Sequence, residues 1–111
     1  MRKYKFRCWY RNKMRYDITG FEFYGEGNLS GVFIDGDFAD EIELMQFTGL
    51  YDKNRKEIYE GDKVYIIPED NYGEIKWDSD MARFVVIYDD LITDFDNWYG
   101  YDLEVVGTIY D

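Results

Sequence analysis

The sequence predicts a mainly β protein, a β-rich α+β chain with an N-terminal β-meander packed on a small SH3-like C-terminal barrel. Three observations lead there. Period-2 alternation of apolar and polar residues dominates, and helix-period patterns are scarce. Five glycines between Gly20 and Gly36 cut that region into short pieces. From residue 58 onward, four or five short strands are followed by one helical turn before the last. With 111 residues, the chain is long enough to bury a core without staples. Residues 1–47 form the N-terminal hairpin and meander, 48–57 a turn-rich connection and 58–111 the barrel, together one compact unit.

The elements follow in order. In Lys3–Tyr10 the odd positions are Lys3, Lys5, Arg7 and Trp9, and the even ones Tyr4, Phe6, Cys8 and Tyr10. This predicts a half-buried strand with a cationic outer face. Arg11-Asn12-Lys13 turns into a second strand over Met14–Ile18. Phe21–Tyr24 and Val32–Ile34 read as strands joined by loops. Asp40–Phe47 is ambiguous: Ile42 and Leu44 alternate with acids as in a strand, while Phe38, Ile42 and Met45 would also share one side of a helix, and strand is the reading taken. Thr48–Glu57 is polar and turn-rich, hence a loop. Lys63–Ile67 is a strand ended by Pro68, whose missing N–H cannot continue a ladder. Tyr72–Trp77 is another, followed by an Asp78-Ser79-Asp80 turn. Met81–Tyr88 is apolar at nearly every position, so both faces are buried and the strand is central. Asp90 is placed to cap a short helix carrying Leu91, Ile92, Phe95, Trp98 and Tyr99, with Gly100 at its end. Leu103–Tyr110 closes the chain as a strand with Leu103, Val105 and Ile109 on one face.

Composition narrows the chemistry. The chain has no histidine and one cysteine, Cys8. That removes the most versatile general acid–base, and structural zinc sites need four Cys or His ligands. An internal disulfide is impossible, and a lone thiol fits a reducing cytosol. Cys8 lies on the even face of its strand, where it reads as a small core residue. Neither serine, Ser30 or Ser79, sits in a nucleophile-elbow motif. Asp35/Asp37, Asp78/Asp80 and Asp94/Asp96 place two acids on one side of an extended segment, as a hard cation would want, but none fits a calcium-loop pattern. These acids read as solvated turn residues. No apolar run is long enough to span a bilayer or to serve as a signal sequence. The expectation is a non-enzymatic, cytoplasmic protein with no cofactor and no metal.

Charge is unevenly distributed. The net charge is −11. Residues 1–16 hold Arg2, Lys3, Lys5, Arg7, Arg11, Lys13 and Arg15 and no acid; the other 95 residues carry six basic groups against all 24 acids, a balance of −18. A basic hairpin lying against the acidic body, or against an acidic neighbouring subunit, relieves self-repulsion, and this reading ranks first. The alternative is a nucleic-acid grip by the same arm. Tyr4, Phe6, Trp9, Tyr10, Tyr16, Phe21, Phe23 and Tyr24 crowd the same quarter of the chain. Such rings fill cores and protein interfaces, and interleaved with basic groups they also form stacking platforms for single-stranded nucleic acid.

The stretch from Leu44 to Val64, LMQFTGLYDKNRKEIYEGDKV, resembles the signature of the YopX family, whose members are encoded by bacteriophages and prophages. Lys5-Phe6-Arg7-Cys8-Trp9 is similar to the family's opening, and Leu103–Tyr110 to its ending. The departures are small: Cys8 replaces a small residue, and Arg55 stands where glycine is frequent. The resemblance implies a phage or prophage origin, a bacterial host cytoplasm and a mostly β fold with an SH3-like C-terminal part; it supplies no catalytic residues. Physically the signature is architecture. Gly49 and Gly61 permit tight turns, and Asp52-Lys53-Asn54 is turn chemistry. Gln46 and Thr48 are needed for neither turn nor core on this reading and are candidates to contact a partner.

The function expected is therefore a protein–protein interaction module that self-associates or meets a host or phage protein. Its candidate contact residues are Lys3, Lys5, Arg7, Arg11, Lys13, Arg15, Gln46 and Thr48. The alternatives are a nucleic-acid binder using the basic arm and an acidic nucleic-acid mimic. A metal-dependent hydrolase built on the Asp pairs ranks last.

Overall fold

A computed structural model describes residues 3–95 and 102–111. Among them are twelve strands: β1 Phe6–Tyr10, β2 Lys13–Arg15, β3 Ile18–Tyr24, β4 Asn28–Ile34, β5 Asp37–Ala39, β6 Glu43–Tyr51, β7 Glu57–Tyr59, β8 Asp62–Ile66, β9 Asn71–Asp78, β10 Arg83–Tyr88, β11 Leu91–Asp94 and β12 Leu103–Thr108. They form three antiparallel sheets, in the orders β2-β1-β6-β7, β3-β4-β5 and β11-β10-β9-β8-β12, the last curled into a half-barrel. The protein is mainly β with no real helix among the described residues, where 3-10 geometry occurs at Ile67–Glu69, Phe95 and Asp102. The chain divides into two units, Tyr4–Gln46 and one containing Phe47–Asp111.

In the N-terminal unit, Arg11 and Asn12 both adopt left-handed backbone (φ 50° and 62°) and close the β1–β2 hairpin with Tyr10 opposite Lys13. Two successive positive-φ residues give the turn whose twist matches that of the strands. The same device closes β4–β5 at Asp35 and Gly36 (φ 49° and 87°), so the first of the three acid pairs begins in a hairpin turn. β3 pairs with β4 through register shifts on either side of Gly20–Glu22. Gly31 on β4 lies where a side chain has no room: a Cβ there would meet the Ala39 carbonyl at 2.5 Å and the Phe38 ring at 2.7 Å. The unit's core is Cys8, Val32, Ile34 and Ala39, flanked by Tyr10, Ile18, Leu29, Ile42 and Leu44. Cys8 is buried, as its even-face position requires.

In the C-terminal unit, Ile58, Val64, Ile66, Ile75, Val86 and Leu103 are buried together. Fully burying each such side chain contributes about 1.5–3 kcal/mol. Val85 and Val86 are adjacent and both buried, so β10 is covered on both faces, as its apolar run indicates. It lies inside the sheet, between β11 and β9.

Several boundaries differ from the sequence reading. The expected loop 48–57 begins in strand, because β6 runs unbroken to Tyr51, with Gly49 (φ 89°) and a register shift opposite β7 absorbing the irregularity. The expected helix begins instead as β11. Asp89 and Asp90 are both left-handed (φ 51° and 61°), which folds Leu91–Asp94 back onto β10 as a hairpin. Asp and Asn already weakened a helix there; the remainder, residues 96–101, lies outside the described residues. On β12 a register shift between Val105 and Gly107 breaks the alternation, so Ile109 is exposed instead of sharing the inner face of Leu103.

Candidate protein-interaction surface

The basic arm does not present one cationic face. Lys3, Lys5, Arg11 and Lys13 are exposed, but Arg7 is 3% exposed. Arg7 lies opposite Met45, itself buried, and its Nη1 donates to the Tyr16 hydroxyl at 3.4 Å. The expectation of an outward Arg7 fails because alternation cannot tell a wet face from a covered one, and an arginine stem packs readily along apolar surface. Arg15 forms a two-pronged ion pair with Asp17, Nε to Oδ1 at 3.0 Å and Nη2 to Oδ2 at 2.7 Å. That contact, above all the hydrogen bond, holds the Asp17 carboxyl below the ordinary carboxylate range and raises Arg15. Arg11 sits over the Tyr10 ring at 4.9 Å. The hairpin does bring Arg11 and Arg15 to the wall of a cleft of about 360 Å³ shared with Asp35 and Asp37, a mixed-charge lining rather than a phosphate groove.

Gln46 is half-buried opposite Phe6. Thr48 corrects the sequence reading: its hydroxyl donates to the Ile58 carbonyl at 2.7 Å and accepts from Leu50 N at 3.2 Å, so the turn at Gly49 needs it. The signature segment is indeed architectural, through a residue the sequence reading treated only as turn chemistry. Asp52 is 5% exposed, and its carboxylate accepts from the backbone N–H groups of Asn54 and Lys56, each at 2.8 Å, and of Val105 at 2.9 Å. Lys53 N donates to the Leu103 carbonyl at 3.0 Å. Leu103 O and Val105 N lie along the flank of β12 away from β8, so the signature loop occupies the end of the half-barrel sheet that an open strand would otherwise expose. Asp62, also buried, accepts from Tyr59 N at 2.8 Å across Gly61 (φ 86°) and closes the corner into β8.

The other acid pairs have structural partners. Asp78 Oδ1 accepts from Asp80 N at 3.1 Å in a turn, and Asp94 pairs with Arg83 across the β10–β11 hairpin; Asp96 lies outside the described residues. Among the described residues no three His, Cys, Asp or Glu side chains converge as a metal-binding group.

The feature that residue-by-residue reasoning placed only within a crowd of rings is an aromatic ladder on β3. Phe21 and Phe23, two apart and so on one side of the strand, are stacked with ring centroids 6.2 Å apart, and Phe6 meets Phe21 edge-on at 5.0 Å. Phe21, Phe23 and the following Tyr24 are 37%, 60% and 61% exposed. β3 is the first strand of its sheet, with its second flank unpaired among the described residues. Exposed strand edges and contiguous exposed rings are features on which other chains can pair. The Phe21-Glu22-Phe23 alternation was legible as strand; that its apolar side faces outward was not.

Comparisons with known proteins agree with this architecture. The crystal structure of protein EF1440 from Enterococcus faecalis superposes with a TM-score of 0.76 at 26% identity, covering 99% of this chain and 95% of that one. Curated proteins provide no match. The family model described as YopX protein matches residues 5–111, which hold the opening, the Leu44–Val64 signature and the Leu103–Tyr110 ending, so the chain belongs to the YopX family.

Proposed function

We propose that this protein is a non-enzymatic protein–protein interaction module that self-associates and works in phage–host biology in the bacterial cytoplasm. The observation that carries the reading is the exposed aromatic ladder Phe21–Phe23 on an open strand edge, followed by the exposed Tyr24. Aromatic rings with polar rims are characteristic of binding surfaces, and unpaired strand edges recruit other chains. The polar groups that might have suggested chemistry are engaged in the fold: Thr48, Asp52 and Asp62 in turns, Asp94 with Arg83. The curled five-stranded sheet supports reading the C-terminal unit as an SH3-like scaffold that carries the signature loop rather than a reaction centre.

A nucleic-acid role for the arm is the second reading. Its support is the exposure of Lys3, Lys5, Arg11 and Lys13, and it is weakened by the burial of Arg7 and the pairing of Arg15 with Asp17. Light scattering after size exclusion, at low and high salt with and without short single- and double-stranded DNA, separates the two. The interaction reading expects an oligomer indifferent to DNA that is lost on Phe21→Ser/Phe23→Ser replacement. A salt-sensitive complex with DNA, and no protein oligomer, would overturn it.

A further inference from the structure

We propose that the partner of the β3 edge is a second copy of this chain, joined by antiparallel β3–β3 pairing about a two-fold axis through Phe21; this rests on the interaction-module reading above. Three observations fix the geometry. First, β3 is unpaired on one flank, and the Ser30 hydroxyl of β4 donates to the Glu22 carbonyl at 3.1 Å. Glu22 therefore turns its carbonyl toward β4. Backbone groups alternate along a strand, so Phe21 and Phe23 direct theirs to the open flank.

Second, symmetry restricts the register. Facing residues in an antiparallel pair share a side of the sheet, and a two-fold axis perpendicular to the sheet keeps each residue on its own side. The axis must then pass through a residue that faces itself, and near the middle of Ile18–Tyr24 the choices are Gly20, Phe21 and Glu22. Glu22 would oppose its own negative charge and points its carbonyl the wrong way. Gly20 would set Glu22 against Ile18 and Phe23 beyond the strand's start. Phe21 has outward backbone groups, sets ring against ring, and places Glu22 opposite Gly20 and Tyr24 opposite Ile18, with no like-charge pair.

Third, charge favours the antiparallel arrangement. Lys13 precedes the strand, with Arg15 balanced by its own Asp17, and Glu22 and Glu26 lie within and after it, which leaves a net positive start and a negative end. Laid antiparallel on itself, the segment brings the acidic end of each copy toward the basic end of the other. The two Phe6–Phe21–Phe23 ladders then merge into one continuous aromatic face across the dyad. A single strand-edge contact is at the small end of interface sizes, so the dimer is expected at high micromolar protein and to weaken as salt rises.

The test is site-directed cross-linking of the full chain under mild oxidation, read beside light scattering. Self-facing residues in such a pair have Cα atoms about 5.5 Å apart, within disulfide reach. Phe21→Cys is expected to yield about tenfold more covalent dimer than Glu22→Cys, whose copies are offset along the strand and held on diagonal positions. The native Cys8 is buried and serves as the background in the unsubstituted chain. Thr19→Cys mixed with Phe23→Cys is expected to give the heterodimer preferentially over either homodimer. Phe21→Lys is expected to leave a folded monomer. An oligomer in light scattering whose Phe21→Cys variant cross-links no better than Glu22→Cys would overturn this pairing while leaving the interaction module standing. A monomer at every concentration, with Phe21→Lys unchanged in behaviour, would overturn both.

Discussion

Replacing Asp52 by alanine should destabilise the C-terminal unit by about 4 kcal/mol, and the structure sets that magnitude bond by bond. The carboxylate receives three backbone N–H groups, from Asn54, Lys56 and Val105, at 2.8–2.9 Å. Asn54 and Lys56 belong to an exposed loop, so their donors regain water on truncation and the net cost of each is about 0.5–1.5 kcal/mol. Val105 N–H lies on a half-buried strand and has no ready replacement, which costs about 1–3 kcal/mol. For a unit of this size the sum lowers Tm by about 16–32 °C. Asp52→Asn should fall about midway: its amide oxygen can keep one set of donors, but the NH₂ group then faces another N–H. The assay is urea and thermal unfolding followed by circular dichroism, with amide exchange at Val105 as the local probe. A loss below about 1 kcal/mol with Val105 still protected would refute the claim that this carboxylate holds the signature loop on β12.

Three further outcomes test other parts of the structure. Gly31→Ala should cost about 1–3 kcal/mol in the N-terminal unit, since its Cβ would meet the Ala39 carbonyl at 2.5 Å and the Phe38 ring at 2.7 Å; unfolding midpoints equal to wild type would show that β5 yields freely. The Asp17 carboxyl should titrate below its ordinary value of 3.8 by NMR, and Arg15→Ala should bring it back up. Because that pKa is depressed in the folded state, the pair's stabilisation is present above the ordinary value and lost as pH falls through the folded pKa; an unchanged Asp17 midpoint in Arg15→Ala would remove the pair from the account. Burial raises the Cys8 thiol, so it should resist iodoacetamide at neutral pH in the folded protein and react on unfolding, and rapid native labelling would contradict its place in the core.

Much of the fold was legible because β-structure writes itself locally. The alternation at Lys3–Tyr10, the apolar run before Tyr88 and the glycines at 49 and 61 each placed a strand or a turn near its observed position. The failures share a physical cause: they depend on what a side chain meets across space. The helix begun at Asp90 was overruled by two left-handed aspartates, which few sequence signals distinguish from a helix cap. Thr48 looked spare because its partner, the Ile58 carbonyl, is ten residues away.

By itself the sequence determined the β class, the uneven charge, the lack of histidine chemistry and the family, since composition and a long contiguous motif are properties of the chain alone. Only the tertiary structure decided which face of each strand is covered. It buried Arg7 while leaving Phe21 and Phe23 in solvent, and it carried Asp52 to Val105, 53 residues along the chain. A period of two fixes that successive side chains oppose each other. Which of the two sides meets water is settled by the neighbouring sheet, and that neighbour comes from elsewhere in the sequence.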